Sequence, residues 1–322
     1  MLVSVVMSVF NSDTYLDEAI NSILKQTFTD FEFIIINDGS GDNSKAIIDH
    51  YAAIDKRIVV VNNERNVGLA SSLNKAIELS RGKYIARQDA DDLSGSRRLE
   101  VQLAYALEHE DVDLIGSNNY LIDVNGEVVY ENRSHSEKKQ FYKYLLNSSG
   151  IFTHGSVLIK KQKLIEVGLY DPRFYYSQDG ELWLRFISKG AEIRILHEPL
   201  YYFRSAPRPS DKKRNIQRRY NVVKRMMYVD KVDSGTIEKE LNSIRQQVLT
   251  GDLQPRKFHM ADYWRSLANA AYLHGASLSY SYKYLLRAIH EKNSFFQYPK
   301  YLFTGICYFF PINLIRRLIN FQ

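Results

Sequence analysis

Leu2-Val3-Ser4-Val5-Val6-Met7-Ser8-Val9-Phe10-Asn11 and then Phe31-Glu32-Phe33-Ile34-Ile35-Ile36-Asn37-Asp38-Gly39-Ser40 decide the fold. Each is an apolar run of strand length that ends on polar, turn-forming residues. A run without regular polar alternation belongs to a strand covered on both faces. Between the two runs, Tyr15, Leu16, Ala19, Ile20, Ile23 and Leu24 recur at helical spacing behind Ser12 or Asp13, either of which suits a helix N-cap. The alternation continues outward, with a helix over 46–53, a strand over 57–61, a helix marked by Leu69, Leu73, Ala76 and Ile77, and a strand over 84–86. Strands separated in this way by helices predict an α/β fold, Rossmann-like, with a mostly parallel sheet flanked by helices.

The whole chain is consistent with that reading. Its 322 residues, 45% hydrophobic and 25% charged, exclude a disordered, collagen-like or disulfide-scaffold protein. One cysteine, Cys307, permits no internal disulfide, which favours a reducing, cytoplasmic setting, and the first residues read as a core strand rather than a leader. The net charge of +6 points to an anionic partner. Between Arg208 and Lys231 nine Lys or Arg face two acids, Asp211 and Asp230, and the segment 212–229 sets Ile216, Tyr220, Val223 and Met227 along one helical face. Fifteen aromatic residues lie between Phe258 and Phe310. The apolar tail over 301–315 is broken by Gly305, Pro311 and Asn313, too short for a span. These features predict two domains, 1–205 being α/β and 206–322 helical, basic and aromatic. The second would serve as a membrane-surface contact or as a packing or homodimer contact.

Open parallel sheets bind ligands at the carboxyl ends of their strands. There the sequence places Asn37-Asp38-Gly39-Ser40, Arg65-Asn66-Val67-Gly68 and Asp89-Ala90-Asp91-Asp92. Three carboxylates within four residues repel one another unless a cation or hydrogen-bond donors compensate. Mg²⁺ or Mn²⁺ would do so through one or two carboxylates plus substrate phosphates. Asp92 is instead a candidate cap for a helix starting near 94–97. Asp38 is placed to accept the N3–H of uracil or the N1–H of guanine, or to close an Asx-turn. Asn66 and Gly68 open a helix whose N-terminus suits a phosphate. Farther on, Asp179 stands at the start of a helix marked by Leu182 to Ile187, where an acid is favoured by the dipole.

In order and approximate spacing, residues 3–11, Asn37-Asp38-Gly39-Ser40, Arg65-Asn66-Val67-Gly68, Asp89-Ala90-Asp91-Asp92 and Gln178-Asp179 with Trp183-Leu184-Arg185 resemble the family 2 glycosyltransferases of the GT-A fold, of the bacterial O-antigen and capsule type. The resemblance implies nucleotide-sugar contacts at Val9, Phe10, Asn11, Asp38, Asn66, Gly68, Asp89 and Ala90. It makes Asp38 the ligand of the uracil base, Asp89 the ribose contact, Asp91 the ligand of Mn²⁺ or Mg²⁺ and Asp179 the catalytic base. Gln178 stands where the family often has a second acid. Ala206 stands where many relatives have a metal-binding histidine, leaving His197 and His154 as distant substitutes.

The implied reaction is transfer of a sugar from a UDP-sugar to a saccharide hydroxyl, with inversion at the anomeric carbon and Asp179 accepting the hydroxyl proton. The implied acceptor is a lipid-diphosphate-linked intermediate of O-antigen, lipopolysaccharide or capsule synthesis. The implied location is cytoplasmic, peripheral at the inner face of the bacterial plasma membrane. His154, Trp183, Arg185 and Arg204 are candidate contacts to acceptor or phosphate, each with a structural alternative. The rival readings are an inactive nucleotide-binding scaffold and a nucleic-acid binder. The second is weak, because the strand-end carboxylates would repel a phosphate backbone.

Overall fold

The computed structural model describes residues 1–133, 141–142, 145–146, 152–205, 211–250, 260–274, 276 and 278–292. Strands β1 (Val3–Val9), β2 (Phe31–Asn37), β3 (Ile58–Asn62) and β4 (Tyr84–Gln88) follow the predicted runs. They pair in parallel in the order β3-β2-β1-β4, with Val9 beside Asn37 and Met7 beside Gln88. Helices α1 (Asp13–Leu24), α2 (Ser44–Ile54) and α3 (Leu69–Leu79) connect them. β1 is buried on both faces. Val3, Val5, Met7 and Val9 pack against Leu16, Ala19, Ile20 and Ile23 of α1, while Val6 meets Leu73, Ala76 and Ile77 of α3. Each buried Val, Leu, Ile or Met among them contributes about 1.5–3 kcal/mol.

Beyond β4 the sheet turns antiparallel. Next to β4 lies β8 (Leu158–Lys160), then β6 (Leu114–Ile122), β9 (Ile193–Arg204) and the short β5 (Leu93–Ser94). β5 corrects one expectation. Asp92 caps no helix: it is buried before β5, and α4 (Arg98–Glu108) starts after Arg97 without a side-chain cap. The pairing of Leu93 with Tyr202 spans more than a hundred residues and leaves no local signal.

By contact the described residues form two compact units, and they do not divide at one point near 205. The described residues of the first lie within Met1–Asn119, Arg133–Phe203 and Asp211–Leu253, and those of the second within Tyr120–Asn132, Arg204–Ser210 and Gln254–Gln322. α5 (Lys161–Val167), α6 (Gln178–Ser188), α7 (Asp211–Tyr228) and α8 (Ser234–Thr250) therefore belong to the first unit. The apolar stripe of α7 is a packing face within this unit. Ile216, Tyr220 and Val223 are buried with Phe174, Leu241 and Ile244.

In the second unit, β7 (Val128–Asn132) pairs with β6, and α9 (Met260–Leu273) and α10 (Leu278–Lys292) bury Trp264, Leu267, Tyr284 and Leu285 against Val129. No helix of the described residues is long and apolar enough to cross a membrane. The tail over 301–315, with Cys307, lies outside the described residues, as does Ala206.

Candidate active site

The first unit opens a cleft of about 470 Å³ at the carboxyl ends of β1, β2 and β4. Ser8, Phe10, Asp38, Asn66, Gly68, Asp89, Ala90, Asp91 and Asp179 line it together, so the predicted clusters meet in one place. Its other walls are Ser12, Leu69, Tyr175, Tyr176, Ser177, Gln178 and Gln217. Sequence reading missed the tyrosine pair and Gln217. Tyr175 and Tyr176 were visible as an aromatic pair before Asp179, but nothing local marked Gln217 on α7.

Asp38 sits at the end of β2, buried, and organises the loop before α3. Its Oδ1 accepts Asn63 Nδ2 at 2.8 Å and the Val67 N–H at 3.0 Å, and its Oδ2 accepts the Gly68 N–H at 3.0 Å. A carboxylate oxygen accepts two hydrogen bonds in its plane. Oδ1 is filled, and Oδ2 keeps one acceptor position for a ligand. Gly39 makes the turn possible: a Cβ there would lie 2.6 Å from the Arg65 carbonyl carbon, and its φ is +70°.

At the end of β4, Asp89 forms an ion pair with Arg87, whose side chain is 2% exposed. Its amide donates to Tyr201 Oη at 3.2 Å. The Asp89 charge raises the Arg87 pKa against the burial that would lower it. A second buried guanidinium, Arg98, donates to the carbonyls of Arg87 and Gly155 and is pulled down to about 10 by burial and by Arg87. Asp91 is exposed on the cleft wall. No group of three metal-ligating side chains occurs among the described residues. The donor set still fits a hard divalent cation that takes one carboxylate and completes its shell with diphosphate oxygens.

Asp179 lies in the first turn of α6, behind Ser177, whose φ of +61° is strained for a non-glycine residue. It is half-buried, and burial pushes its pKa above the ordinary aspartate range against the Gly180 N–H, Lys224 and Arg87. A carboxylate tuned upward in a cleft suits proton acceptance near neutral pH.

Other predicted residues do not line this cleft. Val9 is core, and its carbonyl accepts the Asp38 N–H at 2.8 Å. Asn11 ties the neighbouring loop through Gly41 N–H at 2.8 Å. Trp183 is fully buried among Phe152, His154 and Phe186, which is packing rather than sugar stacking. Arg185 grips both oxygens of Glu181 and the carbonyls of Val167 and Leu169. His154 Nε2 lies 2.7 Å from Tyr170 Oη, and burial and Arg87 hold it well below its usual pKa, so it is neutral. The exposed His197 accepts a hydrogen bond from Asn118 Nδ2 at its carbonyl, at 2.8 Å. Arg204 falls in the second unit, 3.3 Å from the carbonyls of Asp123 and Val124.

With this geometry established, the comparisons settle the family. The description "Glycosyl transferase family 2" matches residues 4–168. The chain belongs to glycosyltransferase family 2. The transferase is 41% identical over 207 residues to an uncharacterized glycosyltransferase of Methanocaldococcus jannaschii, covering 63% of this chain and 70% of that one. It is 35% identical to the O-antigen biosynthesis glycosyltransferase WbnJ of Escherichia coli over 60% of this chain and 74% of the relative. Its fold is that of S. aureus TarS, residues 1–349, in complex with UDP-GlcNAc, at a TM-score of 0.57 and 16% identity over 96% and 91% of the two chains. A mannosyltransferase of Pyrobaculum calidifontis in complex with GDP-Man and Mn²⁺ also shares it, at a TM-score of 0.52 and 15% identity over 95% and 83%. The transferase therefore has the GT-A fold expected from its sequence.

Proposed function

We propose that this glycosyltransferase moves a hexose from a UDP-sugar to a hydroxyl of a saccharide acceptor, with inversion at the anomeric carbon. The reading is carried by one cleft that gathers Asp38, Asp89 and Asp91 with an upward-tuned Asp179. The remaining acceptor position on Asp38 Oδ2 takes the uracil N3–H; cytosine presents an acceptor there and is repelled. Asn66 and Gly68 stand at the N-terminus of α3, which favours anionic groups. Asp89, fixed by Arg87 and Tyr201, faces the ribose. Asp91 would hold Mn²⁺ or Mg²⁺ together with the diphosphate, where the cation when bound supplies charge neutralisation for the leaving group. Asp179 takes the proton of the attacking hydroxyl, which contributes roughly 10²–10⁴ in rate. One base and one displacement convert an α-linked donor into a β-linked product.

The acceptor is a lipid-diphosphate-linked saccharide of surface polysaccharide synthesis, at the inner face of a bacterial plasma membrane. The similarity to the O-antigen enzyme supports this, as do Arg218 and Arg225, exposed on α7. The test is UDP release from a panel of UDP-hexoses with lipid-linked acceptors, followed by NMR of the product. A β-linkage, with turnover lost in D179N, is expected. Retention of configuration, or wild-type turnover in D179N, would overturn the mechanism.

A further inference from the structure

Lys224 is a buried charge that the transfer reaction leaves unused. It lies on α7, 0% exposed, and among the described residues its Nζ makes one hydrogen bond, to Leu145 O at 3.1 Å. A single neutral acceptor does not balance an ammonium removed from water. The register of α7 against the start of α6 shows where the balance lies. Three residues before Lys224, Asn221 Oδ1 is 3.5 Å from Oγ of Ser177, the N-cap of α6. Four residues after it, Tyr228 Oη donates to Glu181 Oε1 at 2.7 Å. Positions spaced by three and four share one helix face, so Lys224 is set against residues 178–180. Gln217, two turns earlier on that face, lines the cleft with Asp179.

Glu181 already has its counter-charge, because Arg185 binds both of its oxygens at 2.7 Å. Asp179 has no such partner on its own helix. The groups that act on it are the Lys224 ammonium from α7, the Arg87 guanidinium from β4, the Tyr170 phenol from the segment after α5, and the backbone N–H groups of Gly180 and of Asp179 itself. Lys224 and Asp179 act on each other reciprocally: the lysine counters the burial that raises the carboxyl, and the carboxylate counters the burial that lowers the lysine.

We propose that Lys224 is a positioning residue for the transfer: its ammonium, delivered by α7 against the start of α6, keeps the Asp179 carboxylate charged at the cleft. This rests on Asp179 being the base, and it makes α7 part of the active centre rather than an appendage to it.

The test follows the Asp179 carboxyl by NMR in the full chain carrying ¹³C-labelled aspartate, with D179N identifying the resonance. In K224M the Asp179 ionisation should move to higher pH, on the order of tenfold in the constant, and K224R should restore it. The acid limb of kcat/KM should move with it. An Asp179 titration unchanged in K224M would overturn the proposal. Should K224M fail to fold, the reciprocal measurement decides: the Lys224 ammonium must titrate lower in D179N than in wild type, and an unchanged value refutes the coupling. Calorimetric binding of UDP is read in parallel. Its absence in wild type would remove the donor assignment while leaving the Lys224–Asp179 comparison intact.

Discussion

Replacing Gly155 by Ala tests how the fold places the Asp89–Asp91 wall. Gly155 lies in a single 3-10 turn, His154–Ser156. A Cβ there would collide with the hydroxyl and ring of Tyr201 and approach Asp89 Oδ2 to 2.9 Å. Tyr201 has little freedom to yield. It is fully buried in β9, paired with Ser94 of β5, and the Arg98 guanidinium carbon lies 5.5 Å from its ring centroid. Overpacking of this kind costs about 1–3 kcal/mol. Displacing the hydroxyl also removes the acceptor of the Asp89 N–H, about 1 kcal/mol more. G155A should therefore lose about 2–4 kcal/mol in urea unfolding. Because Asp89 moves with Tyr201, UDP binding by calorimetry should weaken by roughly tenfold. Y201F removes the atom the new methyl meets first, so G155A/Y201F should cost less than the sum of the single changes. A G155A protein with wild-type stability and wild-type UDP affinity would show that this close approach does not position the motif.

Further outcomes follow from the contacts of Asp38, Asp179 and Arg185. D38N puts an amide group where three N–H donors converge, so it should lower stability by about 2 kcal/mol and abolish UDP binding, read by denaturation and calorimetry. In the pH profile, kcat/KM should fall as pH drops through a value above the ordinary aspartate range, since the base must be ionised, and D179N should reduce kcat by roughly 10²–10⁴ above that value and lose the acid limb. Because folding raises the Asp179 pKa, its favourable contribution is full below the unfolded-state value and is lost as pH rises through the folded one. The stability difference between D179N and wild type should accordingly move in favour of the variant with rising pH. R185A strands the buried Glu181 and should cost roughly 3 kcal/mol in urea unfolding with little change in KM, separating its structural role from acceptor binding.

The parallel half of the sheet was legible because its strands are continuous apolar runs, and the cleft was legible because those runs stop at polar residues. Asp38, Asp89 and Asp91 were read in this way, and Asp179 from its place at the start of a helix. What was hidden depends on pairings distant in sequence. β5 forms only against β9, so Asp92 looked like a cap. Tyr201 and Gly155 become neighbours of Asp89 only after β8 and β9 join the sheet. The amphipathic pattern of α7 was correctly read, but amphipathicity does not say what covers the apolar face; here Phe174, Leu241 and Ile244 do. For the same reason Lys224 could not be told from the other basic residues of that helix. Trp183 and Arg185 carried a family resemblance, but their surroundings make them packing and ion-pair residues.

The most direct measurement is calorimetric titration of the full chain with UDP, with GDP and CDP as controls, with and without Mn²⁺. UDP is expected to bind, Mn²⁺ to tighten that binding, D91A to lose the tightening and D38A to lose binding altogether. Failure of UDP to bind under any metal condition, or undiminished binding in D38A, would contradict the assignment of this cleft as the donor site.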